Sequence, residues 1–372
     1  MNRIARWWGH VQALLFEGVA AGLDERLTER HQQVMAVLEV VRVEQHVPMR
    51  VRLWTGRPAY DRRPLARAFV AKAVYNDPTT VGFLERLRTD RNLCRICGWD
   101  HPGEVPSEAT FSRAFSEFAE IGLGDTVHQA LVKQHLGDGK VLVGHIARDS
   151  TEIDARERAV KKPKPPPQPK RKRGRPRKGE EGPPKPPRRV VLQLGQTPEE
   201  ALVELPTACD WGSKKNSQGM KHSWKGYKLH LDVCCAGLPL NAVTTSASLH
   251  DSQVAIPMAR RTAQRVTALY EVMDSAYVAK EISQACEALG HVPIVELHSS
   301  EKKMGISLEP ARERRLDERT VVERAYGRLK DSFGARFVRV RGHAKVHLHL
   351  MFGVLALFAD QLIKLALDAS QT

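Results

Sequence analysis

Apolar residues follow two different spacings along this chain, and the change of spacing divides it. Over residues 15–137 they recur at a near-helical period, most plainly at 66–75 and 111–136, and Pro106-Ser107 supplies a helix start. Beyond residue 138 short β-branched runs take over. Residues 140–151 read as a central strand that ends where the run turns polar, and 226–236 and 240–247 read as two strands joined at Gly237-Leu238-Pro239, a hairpin. A helix at about 251–268, a strand closing at Met273, a helix at 278–289, a short strand at 291–297 and further helices complete the pattern. The order predicts an α/β fold: a mixed central sheet flanked by helices over 138–368, after a helical N-terminal domain at 1–137.

Two apolar runs raise the question of a membrane. The run 348–367 contains Asp360 and Lys364, so it is interrupted too soon to span a bilayer and reads as a buried helix covering the sheet. Residues 1–23 carry Glu17 inside their apolar stretch, which predicts an amphipathic helix and no signal peptide, hence a bacterial-type cytoplasmic protein with no membrane partner.

One segment follows neither spacing. Residues 158–192 are rich in proline and poor in large apolar side chains, so they form no core and predict an extended, disordered loop that interrupts the sheet domain. Between Lys161 and Arg189 stand 13 Lys and Arg against Glu180 and Glu181, so this segment holds eleven of the net fifteen positive charges. The folded parts keep only about four, and their basicity alone names no substrate. Within the loop, Lys172-Arg173-Gly174-Arg175-Pro176-Arg177-Lys178 resembles the AT-hook, whose arginines enter the narrow, strongly negative minor groove of A·T-rich DNA. Arg173 and Arg175 are its candidate contacts. A solvated linker touching phosphates without selectivity is the plainer reading, and both predict added affinity that salt weakens.

The candidate chemistry lies elsewhere. Arg319, Glu323 and Lys330 share one stripe of a helix, a carboxylate set between two cations. On its own that is a salt-bridged helix face. Asp149 and Asp274 change its meaning, because each closes an apolar strand, and strand ends from one sheet plus a later helix can converge on a pair of hard cations. Asp251 competes for the second place, but His250-Asp251-Ser252 looks like a helix start, where an aspartate serves as a cap. Cys94-Arg95-Ile96-Cys97 has no second pair at zinc-finger spacing, so ordinary reduced cysteines are expected.

In these pieces the chain resembles the DDE transposases of bacterial insertion sequences, most closely the insertion-sequence four and five groups. The matching pieces are Arg148-Asp149-Ser150-Thr151, the segment from Trp224-Lys225-Gly226-Tyr227 to His250-Asp251-Ser252, Met273-Asp274-Ser275-Ala276-Tyr277, and the run from Arg319 to Lys330. Residues 63–113 are similar to the helical N-terminal domain of these enzymes, so the resemblance spans about residues 60–360. One place departs from it. The tyrosine that the family carries three residues before the arginine is Leu316 here, and Tyr326 is a different position, which leaves the cleavage route, through a hairpinned end or otherwise, open.

The resemblance implies a ribonuclease H-like catalytic domain in which Asp149, Asp274 and Glu323 hold two Mg2+ ions, with Mn2+ as a substitute. It implies that the enzyme cuts the element's ends and joins them to target DNA, with Arg319 and Lys330 on phosphates beside the scissile bond. The N-terminal helices would bind the terminal inverted repeats, Arg113 lying on the first candidate recognition helix, or would serve packing and dimerisation. A homodimer in the DNA complex is expected, since two ends are joined in concert. A ribonuclease H-like nuclease without strand transfer and a catalytically inert DNA-binding derivative are the alternatives.

Overall fold

Helix starts in the N-terminal half are set by short polar side chains that cap exposed N–H groups. In the computed structural model, which describes residues 26–49, 60–137, 143–161, 186–215 and 218–371, Thr28 caps α1 (Glu29–Val41) and Asp61 caps α2 (Arg62–Val74). Thr79 caps α3 (Thr80–Thr89), and Asp90 caps α4 (Arg91–Cys97). The periodic run at 111–136 divides into α5 (Glu108–Glu120) and α6 (Leu123–Leu136). Gly122 sits between them at φ 62°, a left-handed conformation that lets the chain turn at little cost.

Strands then alternate with helices. β1 (Val143–Asp154) is followed by two short helices, α7 (Arg189–Leu192) and α8 (Pro198–Val203). After them come β2 (Asp210–Lys215), β3 (Lys221–Cys234), β4 (Pro239–Ser246), α9 (Ser252–Ala263), β5 (Ala268–Met273), α10 (Lys280–Ala288) and β6 (Val292–Val295). The short α11 (Ser299–Lys303) and α12 (Pro310–Leu316) lead to α13 (Thr320–Ser332) and α14 (His343–Gln371). The strands form one mixed sheet in the order β2-β3-β1-β5-β6, with β4 also on β3. β5 is parallel to β1 and to β6, and the other pairings are antiparallel.

The expected hairpin, the strand before Asp274 and the flanking helices are present. One expectation is corrected: β1 does not stop at Asp149 but runs on to Asp154. Its parallel pairing with β5 ends at Arg148, whereas its antiparallel pairing with β3 continues from Ile146 to Asp154 and satisfies the polar stretch. The helix expected at 251–268 is also shorter, ending at Ala263. The end of the expected loop is ordered, with α7 inside it and Arg189 donating to Gln253 at 2.6 Å. The first helix expected at 1–23 and the AT-hook-like arginines Arg173 and Arg175 lie outside the described residues.

The core explains the last apolar run. α14 is long and apolar enough to cross a membrane, but its residues from Leu350 to Ala359 are buried against α1, α2, α5, α6 and β4. Asp360 of α14 is met by Gln33 from α1 at 2.8 Å, by Arg328 from α13 and by Lys364. One apolar cluster therefore runs from Val34 through the sheet to Ala359, and α14 joins the N-terminal helices to α13. On the sheet's other face, α9 and α10 enclose a smaller cluster around Met273 and Tyr277.

Candidate active site

Arg148 and Met273 are the last pair of the ladder between β1 and β5, so Asp149, still within β1, and Asp274, just beyond β5, follow at equivalent positions on neighbouring parallel strands. The register alone sets these two carboxylates side by side. Behind them the sheet is fastened by a buried ionic network. The Arg148 guanidinium, fully buried, donates to Asp232 of β3 at 2.7 and 3.0 Å and to Glu271 of β5 at 2.7 Å. Thr262 donates to Asp232 at 2.5 Å, and His291 lies 2.7 Å from Glu271. A planar cation with five donors can satisfy two carboxylates at once, and here it ties together the three strands that carry the site.

The third acid arrives on α13. Glu323 is 51% exposed along its side chain and meets the Arg319 guanidinium at 2.8 Å, one helical turn away. Arg319 also reaches Asp149 at 3.6 Å, so its cation stands between two of the three expected acids. Tyr326, one turn after Glu323, is buried, and its hydroxyl donates to the Asp149 main-chain carbonyl at 2.6 Å. The Tyr326 hydroxyl oxygen in turn accepts from the Leu231 N–H at 3.0 Å, which fixes α13 against β1 and β3.

Asp251 is the residue whose role sequence reasoning placed elsewhere. It stands at the start of α9, but its side chain caps no N–H there. Instead it accepts from the Lys228 ammonium at 2.8 Å and faces the other acids. Lys228 also donates to the Leu249 carbonyl at 2.8 Å. The helix-start signal was real, yet αR geometry at Asp251 turns the carboxylate away from the capping position.

Crowding raises two of these carboxyls. Burial, with the charges of Asp274 and Asp251 added, pushes Asp149 up to about 7, against the opposing Ser150 N–H and Arg319. Asp274 is raised in the same direction, chiefly by burial and then by Asp251. Burial also pushes Asp251 up, but His230, Lys228 and the Ser150 hydroxyl outweigh it and hold the carboxyl below the usual range. Tyr277 completes the surroundings. Its hydroxyl is buried and without a hydrogen-bond partner among the described residues, and burial followed by the charges of Asp251, Asp149 and Asp274 holds it well above the ordinary tyrosine range.

These features fit a hard divalent cation. All the candidate donors are carboxylate oxygens, their repulsion is relieved by added positive charge, and an orphaned hydroxyl stands among them. Among the described residues no three acidic, histidine or cysteine side chains are already closed around a single point, and Glu323 is paired with Arg319. Two other expected residues lie apart. Lys330, at the far end of α13, is half-buried beside Glu152 and Lys214, and burial lowers its ammonium. Arg113 on α5 is exposed and donates to the Thr110 hydroxyl at 3.2 Å.

Two known families match the chain. The family described as Transposase DDE domain matches residues 145–359, and the family described as Transposase domain (DUF772) matches residues 23–117. Searches of curated proteins and of solved structures returned no match.

Proposed function

Because a match over residues 145–359 makes this chain a member of the transposase DDE domain family, a DDE transposase of an insertion sequence, we propose a specific reaction and a role for each side chain. In this reading the protein binds the terminal inverted repeats of its element, cleaves the DNA ends and joins them to target DNA by metal-dependent phosphoryl transfer. The observation that carries it is the register Arg148–Met273, beyond which Asp149 and Asp274 emerge together while Tyr326 and Arg319 tie Glu323's helix to Asp149. A sheet of this order with helices on both faces also supports a ribonuclease H-like catalytic domain over 138–368, following a helical DNA-binding domain over 1–137.

Asp149, Asp274 and Glu323 would hold two Mg2+ ions, for which Mn2+ can substitute. When bound, the ions supply Lewis acidity at phosphate oxygens and a nucleophile ionised at neutral pH. The remaining work falls to the chain. Arg319 is 23% exposed, already held between two acids, and its planar fork suits a phosphate beside the scissile bond. Lys228 neutralises Asp251, which lowers the negative charge a DNA phosphate meets on approach. Arg148 holds β1, β3 and β5 at fixed spacing, so Asp149 and Asp274 stay together while metal and DNA exchange. Lys330, Arg113, Arg173 and Arg175 would contact DNA phosphates or grooves, and a homodimer would bring two ends together. The protein would act in the bacterial cytoplasm, where its DNA is.

Strand transfer separates this function from simple cutting. Pre-cleaved repeat ends incubated with a supercoiled target and Mg2+ should yield joined products carrying the end sequence. Cleavage without any joined product would leave a nuclease of the same family.

A further inference from the structure

The hairpin formed by β2 and the first part of β3 has no place in the chemistry above. Its strands pair from Asp210↔Gly226 to Lys215↔Lys221. Side chains alternate across such a ribbon, so Gly212, Lys214, His222 and Trp224 share one face, and Trp211, Ser213, Lys215, Lys221, Ser223 and Lys225 share the other.

The first face is turned to the protein. A Cβ on Gly212 would fall 2.4 Å from the Trp224 ring, and Trp224 is buried with its indole N–H on the Tyr227 carbonyl at 3.1 Å. Lys214 reaches Glu152 of β1 at 2.9 Å. The ribbon is therefore rooted, and its second face looks outward.

That outward face is built for an anion. Trp211 is 59% exposed, Lys225 is half-exposed, and Ser213, Lys215, Lys221 and Ser223 are exposed. Lys215 and Lys221 stand directly opposite each other, an arrangement of like charges that weakens a β pair. Among the described residues no carboxylate comes within ion-pair distance of Lys215, Lys221 or Lys225. The chain thus maintains three lysines, two hydroxyls and a large aromatic on one surface, with the repulsion unrelieved by any described carboxylate.

We propose that this face is a DNA-binding ribbon that lies on the duplex being cut. The inference rests on the transposase reading for the identity of that duplex. A two-stranded ribbon fits a DNA groove, lysine and serine side chains meet phosphates, and Trp211 contacts sugar or base. Place decides which DNA it is. The ribbon's anchor, Glu152, lies three residues along β1 from Asp149, on the order of 10 Å, and Glu152 and Lys214 lie beside Lys330 on α13, the helix that carries Glu323, which sets the ribbon at the rim of the site.

Binding in EDTA tests this without cleavage, using the full chain and a fluorescein-labelled duplex that carries the terminal repeat. Combining Lys215→Ala, Lys221→Ala and Lys225→Ala should weaken binding at least about tenfold and reduce the slope of log affinity against log salt by about two to three. The matching Lys→Arg triple should bind as the wild type does. Trp211→Phe should lose part of the tryptophan quenching that the duplex produces. An unchanged salt slope for the alanine triple overturns the proposal, as does a loss confined to an unrelated target duplex. The two readings fail separately: repeat cleavage with an unchanged slope removes only the ribbon, whereas a reduced slope without cleavage by the wild type keeps the ribbon and removes the enzyme.

Discussion

The hydroxyl of Tyr326 donates to the main-chain carbonyl of Asp149 at 2.6 Å, so the helix that carries one acid is hydrogen-bonded to the strand residue that carries another. Because the Tyr326 hydroxyl oxygen also accepts from the Leu231 N–H, it joins α13, β1 and β3 at one buried point.

Tyr326→Phe removes this link while keeping the ring in the core. It should cost about 1–3 kcal/mol of stability, since a buried N–H and a carbonyl lose their partner. Cleavage should slow by between about ten- and a hundred-fold as Glu323 and Asp149 lose their mutual placement. Thermal unfolding and a cleavage time course, run alongside an unaltered DNA affinity, check both effects.

Arg148→Met should be more damaging, because it strands Asp232 and Glu271 in a dry interior. Breaking one side of such a network costs about 3–5 kcal/mol. Replacing all three by apolar residues of similar size should recover most of that loss, which urea unfolding of the single and triple variants measures.

Burial holds His128, His230 and His349 each at about 4. The unfolded chain takes up these protons near pH 6.5, whereas the folded chain resists until about pH 4, so stability falls as pH drops through that window. Denaturant midpoints taken from pH 7 to 4 should decline, and His349→Gln should flatten the decline. A midpoint that stays level to pH 4 contradicts the buried neutral histidines.

The parts of the fold that could be read in the sequence are those where one face is buried. The 226–247 hairpin alternates and turns at Gly237, the strand before Asp274 is apolar, and the stripe Arg319-Glu323 lies on one helix face as its spacing requires. The ribbon carries no hydrophobic period because its outward face is serine and lysine, and its inward face has only Gly212 and Trp224 buried beside the exposed Lys214 and His222. β1 seemed to end at Asp149 for a related reason: its last residues are polar and are held by pairing with β3. Arg148 was hidden differently. A charge next to an acid looks like a strand's edge, and only Asp232 and Glu271, 84 and 123 residues away, make it a core residue.

Asp149→Asn should stabilise the metal-free protein at pH 8. Asp149 titrates at about 7 when folded and near 3.9 when unfolded, so above pH 7 its charge is carried at a cost by the folded state alone. Melting temperatures of the two proteins in EDTA, with the variant higher, check this.

The central claim is that Asp149, Asp274 and Glu323 act together on DNA. It is tested most directly by Mg2+-dependent cleavage of a plasmid carrying the inverted repeats that flank the gene. Wild type should cut at the repeat ends, while Asp149→Ala, Asp274→Ala and Glu323→Ala should each bind the DNA and leave it uncut. Full cleavage by the Asp274→Ala protein, with loss in Asp251→Ala instead, would contradict the assignment of the second acid, and binding without cleavage by the wild type would contradict the enzyme itself.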